Sequence, residues 1–219
     1  MKIAYIYYDL LNLYGESGNI KIIENVLKYN KIKYEILYLS LDDKLEFDKY
    51  DLVYIGSGTE NNQKVALEQL LKYKEDIQKY IEDNKFILVT GNSVDLFGNY
   101  IHADKSYKAL GIFNYSVTQA TRKMEEVYID SNVTDRKILG FVNNNSMMDK
   151  IEYPLFDNEG ICYHHFYGTY VLGPILVRNP EFLKYFMNEW IGKKLRYDLK
   201  LEVKAYNEFV KNFKETVHE

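Results

Sequence analysis

Apolar and polar positions in the first hundred residues alternate between two periods. Short apolar runs at Ile3 to Tyr8, Tyr34 to Leu39, Leu52 to Ile55 and Phe86 to Val89 lie between polar or glycine-containing stretches, and read as buried strands. Between them the spacing is helical. Ile20, Ile23 and Leu27 mark one apolar face, and Gln63 to Ile81 reads as one long amphipathic helix with Leu67, Leu70, Leu71, Ile77 and Ile81 inward. Strands that alternate with helices of this length pair in parallel, because each crossover must return the chain to the same edge of the sheet. The expected fold is therefore α/β, with helices on both faces of a mainly parallel central sheet. In such sheets ligands collect at the carboxyl ends of the strands. That rule puts the Gly56 to Glu60 loop and the Thr90 to Ser93 turn on one rim.

Beyond residue 109 the helical period gives way to shorter runs, Leu110 to Val117, Glu126 to Ile129, Ile138 to Val142 and Ile161 to Tyr167, which read as added, partly antiparallel strands. Two helices then close the chain. The first starts near Pro180 with Phe182, Leu183, Phe186 and Trp190 inward; the second carries Leu199, Val203, Tyr206, Val210 and Phe213 as one stripe, expected to pack on its own domain. No repeat or linker divides residues 1–219, so one domain is expected.

The run Lys85 to Ser93 is the most informative stretch for chemistry. A buried strand enters a Gly91 turn and then a short helix through Val94, Leu96 and Phe97, the outline of a nucleophile elbow with Thr90 at its apex. Such a bend holds one side chain above the sheet, with backbone N–H groups close enough to receive a developing oxyanion.

Charge and cysteine usage narrow the partners. A formal net charge of -4 gives no overall basic field for nucleic acid or an anionic membrane. The longest run without Asp, Glu, Lys or Arg, Gly160 to Val177, contains two histidines, three glycines and a proline, so no membrane insertion is expected. The single cysteine, Cys162, cannot form an internal disulfide, and the amino-terminal residues show no signal-peptide pattern, so the expected compartment is cytoplasmic.

Several stretches together resemble the class I glutamine amidotransferases of the cobyric acid synthase type, and most nearly the glutaminase subunits of lipid II isoglutaminyl synthases. They are Asp9-Leu10-Leu11-Asn12-Leu13-Tyr14-Gly15-Glu16-Ser17-Gly18-Asn19-Ile20, Tyr54-Ile55-Gly56-Ser57-Gly58-Thr59-Glu60, Gly111-Ile112-Phe113 and Tyr167 to Leu176, in the family's order. The resemblance implies a three-layer, flavodoxin-like fold and a reaction in which an elbow cysteine attacks the side-chain amide of glutamine. A histidine assists, a thioester is hydrolysed, and ammonia passes to a synthetase that resembles a Mur ligase and amidates lipid II. No cofactor and no metal are implied.

Carried over residue by residue, the nucleophile falls on Thr90 and the base on Leu172. Neither can do that work. A thiol is intrinsically nucleophilic and a few per cent thiolate at neutral pH, whereas a hydroxyl needs a placed base, and an isobutyl group is not one. A third departure is Gly140-Phe141-Val142-Asn143-Asn144-Asn145, where relatives usually carry a glutamate, an asparagine and a histidine after the aromatic residue. The expectation is a protein without catalytic residues of the family type, acting as a binding or regulatory subunit beside a Mur-ligase-like synthetase. The alternative is an enzyme whose site is relocated or completed by a partner.

Some binding apparatus is expected to persist for glutamine or a related amino acid. Arg122 falls where relatives carry an arginine for the glutamine carboxylate, with a solvated strand residue as the plain reading; Gly56, Ser57, Gly58 and Gly91 would offer N–H groups to an anion, or simply build tight turns. Gly15-x-x-Gly18 lacks the spacing of a dinucleotide loop. Other reactive groups are Cys162 with His164, on one strand face if the strand continues; a Cys162, His164 and His102 metal set; and Thr90 with Ser93 or Asp95, the last reading as an exposed helix aspartate.

Overall fold

The computed structural model describes residues 1–216, with side chains to residue 213. Its main sheet has six strands: β1 (Lys2–Ile6), β2 (Glu35–Leu39), β3 (Leu52–Ile55), β4 (Phe86–Thr90), β9 (Ile161–Tyr163) and β10 (Phe166–Thr169). They lie in the order β2-β1-β3-β4-β10-β9, and every pair is parallel except the β9–β10 hairpin. Alternation along each strand feeds two cores. Ala4, Ile6, Val53, Ile55, Ile87 and Val89 face α2 (Glu60–Leu70) and α3 (Lys74–Glu82). Ile3, Tyr5, Leu52, Tyr54, Phe86 and Leu88 face α1 (Ser17–Tyr29) and α5 (Pro180–Ile191). This is the expected three-layer arrangement.

A second sheet, in the order β6-β5-β7-β8, stands beside the first: β5 (Tyr100–His102), β6 (Ser106–Lys108), β7 (Val117–Ile129) and β8 (Ile138–Met148). The sequence pattern understated β7 and β8 because most of β7 is exposed, so no apolar alternation marks its length. Leu110 to Val117, read as a strand, is mostly loop; Leu110, Tyr115 and Val117 are buried, and Ile112 and Phe113 half-buried, because the segment folds back on the 3-10 turn Gly91–Phe97, with Leu110 N–H donating to Leu96 C=O.

Two helix expectations also change. The long Gln63 to Ile81 helix is two helices, broken by the 3-10 turn Leu71–Tyr73. The break turns Leu71 out to solvent while Leu67, Leu70, Ile77 and Ile81 stay buried, and Tyr73 sets its ring against Phe47. After the short α4 (Ile175–Arg178) and α5, the last helix α6 (Lys200–Thr216) packs on its own chain, though less completely than the stripe suggests. Leu199 and Tyr206 are buried and Phe213 leans on Tyr128, but Val203 is exposed. No helix among the described residues is long and apolar enough to cross a membrane.

Candidate functional site

Thr90 is the last residue of β4, and a rim forms where β3 and β4 end. Gly91 follows with φ 64, a conformation that side chains with a Cβ rarely adopt. There is no room for one either. A Cβ on Gly91 would collide with the Ser57 side chain and lie 2.9 Å from Leu172 Cδ2. Leu172 reaches the elbow because its backbone pairs with Phe141 of β8. The structure thus brings together Thr90, Gly91, Ser57 and Leu172.

It does not leave the hydroxyl free. Thr90 is fully buried, and its Oγ1 donates to Glu16 Oε2 and lies 3.1 Å from Tyr54 Oη. Tyr54 Oη in turn donates to Glu16 Oε2 at 2.6 Å and accepts from Asn19 Nδ2 at 2.9 Å. Glu16 is itself fully buried, with Oε1 lacking a hydrogen-bond partner. Burial raises its carboxyl to about 7, against the lowering effect of the bonds from Thr90 and Tyr54. Close backbone approach makes this possible, since Gly56 packs so tightly that a Cβ would strike the Leu11 carbonyl oxygen.

The glycine loop is also engaged. Asn92 Oδ1 accepts from Gly58 N–H and Ser57 Oγ, each at 3.1 Å, and Asn92 Nδ2 donates to Gly58 C=O at 2.9 Å. Ser93 Oγ donates to Gly56 C=O, so it makes no nucleophile pair with Thr90. At the outer edge, Arg122 reaches the rim from β7. Its guanidinium pairs with Glu60, the first residue of α2, and donates to Asn143 Oδ1 at 2.9 Å, while Asn143 Nδ2 donates to Tyr14 Oη at 2.7 Å. Arg122 is an exposed strand residue, as in the plain reading, and its guanidinium is paired within the chain.

The other reactive groups fall elsewhere. Asp95 is buried, not exposed: it accepts from Gln63, Ser146 and Tyr170, and burial raises its carboxyl to about 6. It is the junction between the 3-10 turn, α2, β8 and the residue after β10. Cys162 and His164 do not share a strand face, because β9 stops at Tyr163 and His164 takes φ 52 in the two-residue turn to β10. That turn lies at the amino end of the sheet, where His165 stacks on Phe86 at 3.9 Å and its Nδ1 meets Asn84 C=O. A loop that swings either histidine toward Thr90 is thereby ruled out. Burial pushes the Cys162 thiol up, away from reactive thiolate. Among the described residues no three His, Cys, Asp or Glu side chains are grouped to hold a metal, so the Cys162, His164 and His102 set is not assembled.

Sequence reasoning quoted Glu16, Tyr54, Asn92 and Glu60 inside motifs without assigning them a task. A glutamate between two glycines in a polar loop carries no sign of burial, and only the packing of that loop over the end of β3 reveals it.

Three comparisons bear on this arrangement. A family model described as a CobB/CobQ-like glutamine amidotransferase domain matches residues 2–180. Two relatives are named as subunit GatD of the glutamine-hydrolyzing lipid II isoglutaminyl synthase. The one from Streptococcus pneumoniae (strain ATCC BAA-255 / R6) is 26% identical, over 92% of this chain and 84% of its own. The one from Staphylococcus aureus (strain N315) is 29% identical, over 85% of this chain and 82% of its own. Among solved structures, a Thermotoga maritima glutamine amidotransferase aligns with TM-score 0.53 at 16% identity, covering 99% of this chain and 94% of the other. The Trypanosoma brucei CTPS glutaminase domain with bound acivicin aligns at 0.51 and 10%, covering 91% and 97%. At such identities these structures speak for the fold alone.

Proposed function

The chain belongs to the family of CobB/CobQ-like glutamine amidotransferase domains, and from that premise we propose that it is a member that no longer hydrolyses glutamine. It serves instead as a binding or regulatory subunit beside a synthetase that resembles a Mur ligase, in the amidation of lipid II. The partner and pathway follow the two relatives named as subunits of lipid II isoglutaminyl synthase. The loss rests on one observation, the pairing of the buried Thr90 hydroxyl with Glu16 and Tyr54 at an elbow flanked by Leu172.

The chemistry behind this reading is short. Attack on an amide needs a nucleophile and a proton donor for the leaving ammonia, and general acid or base help alone contributes about 10²- to 10⁴-fold. Leu172 can neither take nor give a proton. The Thr90 hydroxyl has no path to substrate while Glu16 and Tyr54 enclose it.

The hydrogen bond from Thr90 to Glu16 favours a second reading, in which the carboxylate acts as base for a hydroxyl nucleophile once a partner opens the rim. Incubation of the pure protein with glutamine, followed by assay of glutamate and ammonia, separates the two. The expected result is no turnover, unchanged by Thr90→Ala. Turnover that Thr90→Ala abolishes in a folded protein would defeat the proposal, and turnover that starts only on adding the synthetase would favour the second reading.

A further inference from the structure

Two recognition points on the rim are already filled by the protein's own side chains. The Asn92 carboxamide lies on the glycine loop, with its oxygen on Gly58 N–H and Ser57 Oγ and its nitrogen on Gly58 C=O. The two contacts to Gly58 fix which end of the amide is oxygen, because a backbone N–H only donates and a carbonyl only accepts. The Glu60 carboxylate lies on the Arg122 guanidinium, which Asn143 Oδ1 holds from the other side. Both points converge on Gly58-Thr59-Glu60, where β3's loop runs into α2.

A carboxamide at one point and a carboxylate at the other are the two end groups of glutamine. We infer that Asn92 and Glu60 are built-in occupants of this rim that keep free glutamine and similar amino acids out of it. The inference rests on the family reading above, that glutamine is the ligand such a rim would receive, and deepens it by naming what regulates access. A tethered group competes at an effective concentration in the millimolar range, so dilute free amino acid loses to it. The subunit therefore keeps its rim shut while amino-acid levels vary, and offers its partner an unchanging surface.

The two occupants are not equal. Glu60 sits in a half-exposed ion pair, and a pair of that kind is worth a factor of up to about five. Asn92 is partly buried and makes three hydrogen bonds, so its removal should matter more.

The test is glutamine binding by isothermal titration and ligand-observed NMR to the full chain, to Glu60→Gln, to Asn92→Gly and to the double variant. The expected order of affinity is wild type weakest, Glu60→Gln several-fold tighter, and the double variant at least about tenfold tighter. Arg122→Ala placed in the Glu60→Gln background should remove the gain. Glu60→Gln alters only a surface pair, so it remains informative even if Asn92→Gly disturbs the loop. Equal affinity across the series, including no binding by any member, overturns the inference. Hydrolysis of glutamine by the wild type would sink the loss-of-activity reading instead, whereas tight wild-type binding without hydrolysis sinks this inference alone.

Discussion

The two ends of the main sheet carry different kinds of side chain. At the carboxyl end lie the sharp Gly91 turn, the glycine loop and a buried carboxyl, but the residues at the apex are Thr90 and Leu172. At the amino end stand two imidazoles, His164 and His165, in a hairpin turn that packs against Phe86 and Asn84, while Cys162 lies further along, in register with Tyr167 and Leu88 at mid-strand. Phe86 and Thr90 are the first and last residues of β4, so about 13 Å of strand separates them. The contrast teaches that an elbow and its reactive atoms are separable properties. The backbone geometry of the elbow is also a packing solution, with Gly56 and Gly91 tight against Leu11 and Ser57.

If the rim is a closed packing unit and not an open site, its buried carboxyl should be visible in the pH dependence of stability. Glu16 shifts from 4.5 in ordinary surroundings to about 7 in the folded protein. Between those values the native state holds a proton that the unfolded state has lost, so stability is full at low pH and falls as pH rises through 7. At 1.36 kcal/mol per pH unit, the 2.5-unit gap is on the order of 3 kcal/mol. Asp95, and Glu159, whose buried carboxyl accepts from Thr169 Oγ1 and the Tyr170 N–H after β10, are also raised by burial and slope the same way. Denaturant midpoints from pH 4.5 to 8 should decline for the wild type and decline clearly less for Glu16→Gln. Identical slopes would mean that Glu16 is not buried against Thr90.

A smaller effect comes from the close approach beneath the rim. Gly56→Ala should cost about 1–3 kcal/mol in urea unfolding, because its Cβ strikes backbone that cannot swing aside. A neutral result would show an elbow looser than described. The amino end should behave in the opposite sense. His164 occupies a left-handed conformation at φ 52, so His164→Gly relieves strain and should raise stability by up to about 1 kcal/mol, less the entropy glycine adds to the unfolded chain. Marked destabilisation there would give that histidine a structural task and blur the contrast between the two ends.

Much of the architecture was legible in the order of residues. The β1, β3 and β4 segments are continuous apolar runs and the α1 and α5 faces are periodic, and both patterns leave few ways to pack. Elements that rely on neighbours were less so. β7 is mostly exposed, so no alternation announced it, and the break at Leu71–Tyr73 has no proline or glycine to mark it. At the site, the sequence by itself determined that the elbow residue carries a hydroxyl and no sulfur, because identity at Thr90 is a matter of covalent structure, whereas the absence of a nearby imidazole was decided by the turn that holds His164 and His165 at the other end of the sheet. Only the tertiary structure decided what fills the space. Glu16 lies 74 residues from Thr90 along the chain, and Arg122 lies 62 from Glu60. Burial and long-range pairing of polar groups depend on how separate loops meet over one sheet edge, and a local pattern of residue types does not encode that meeting.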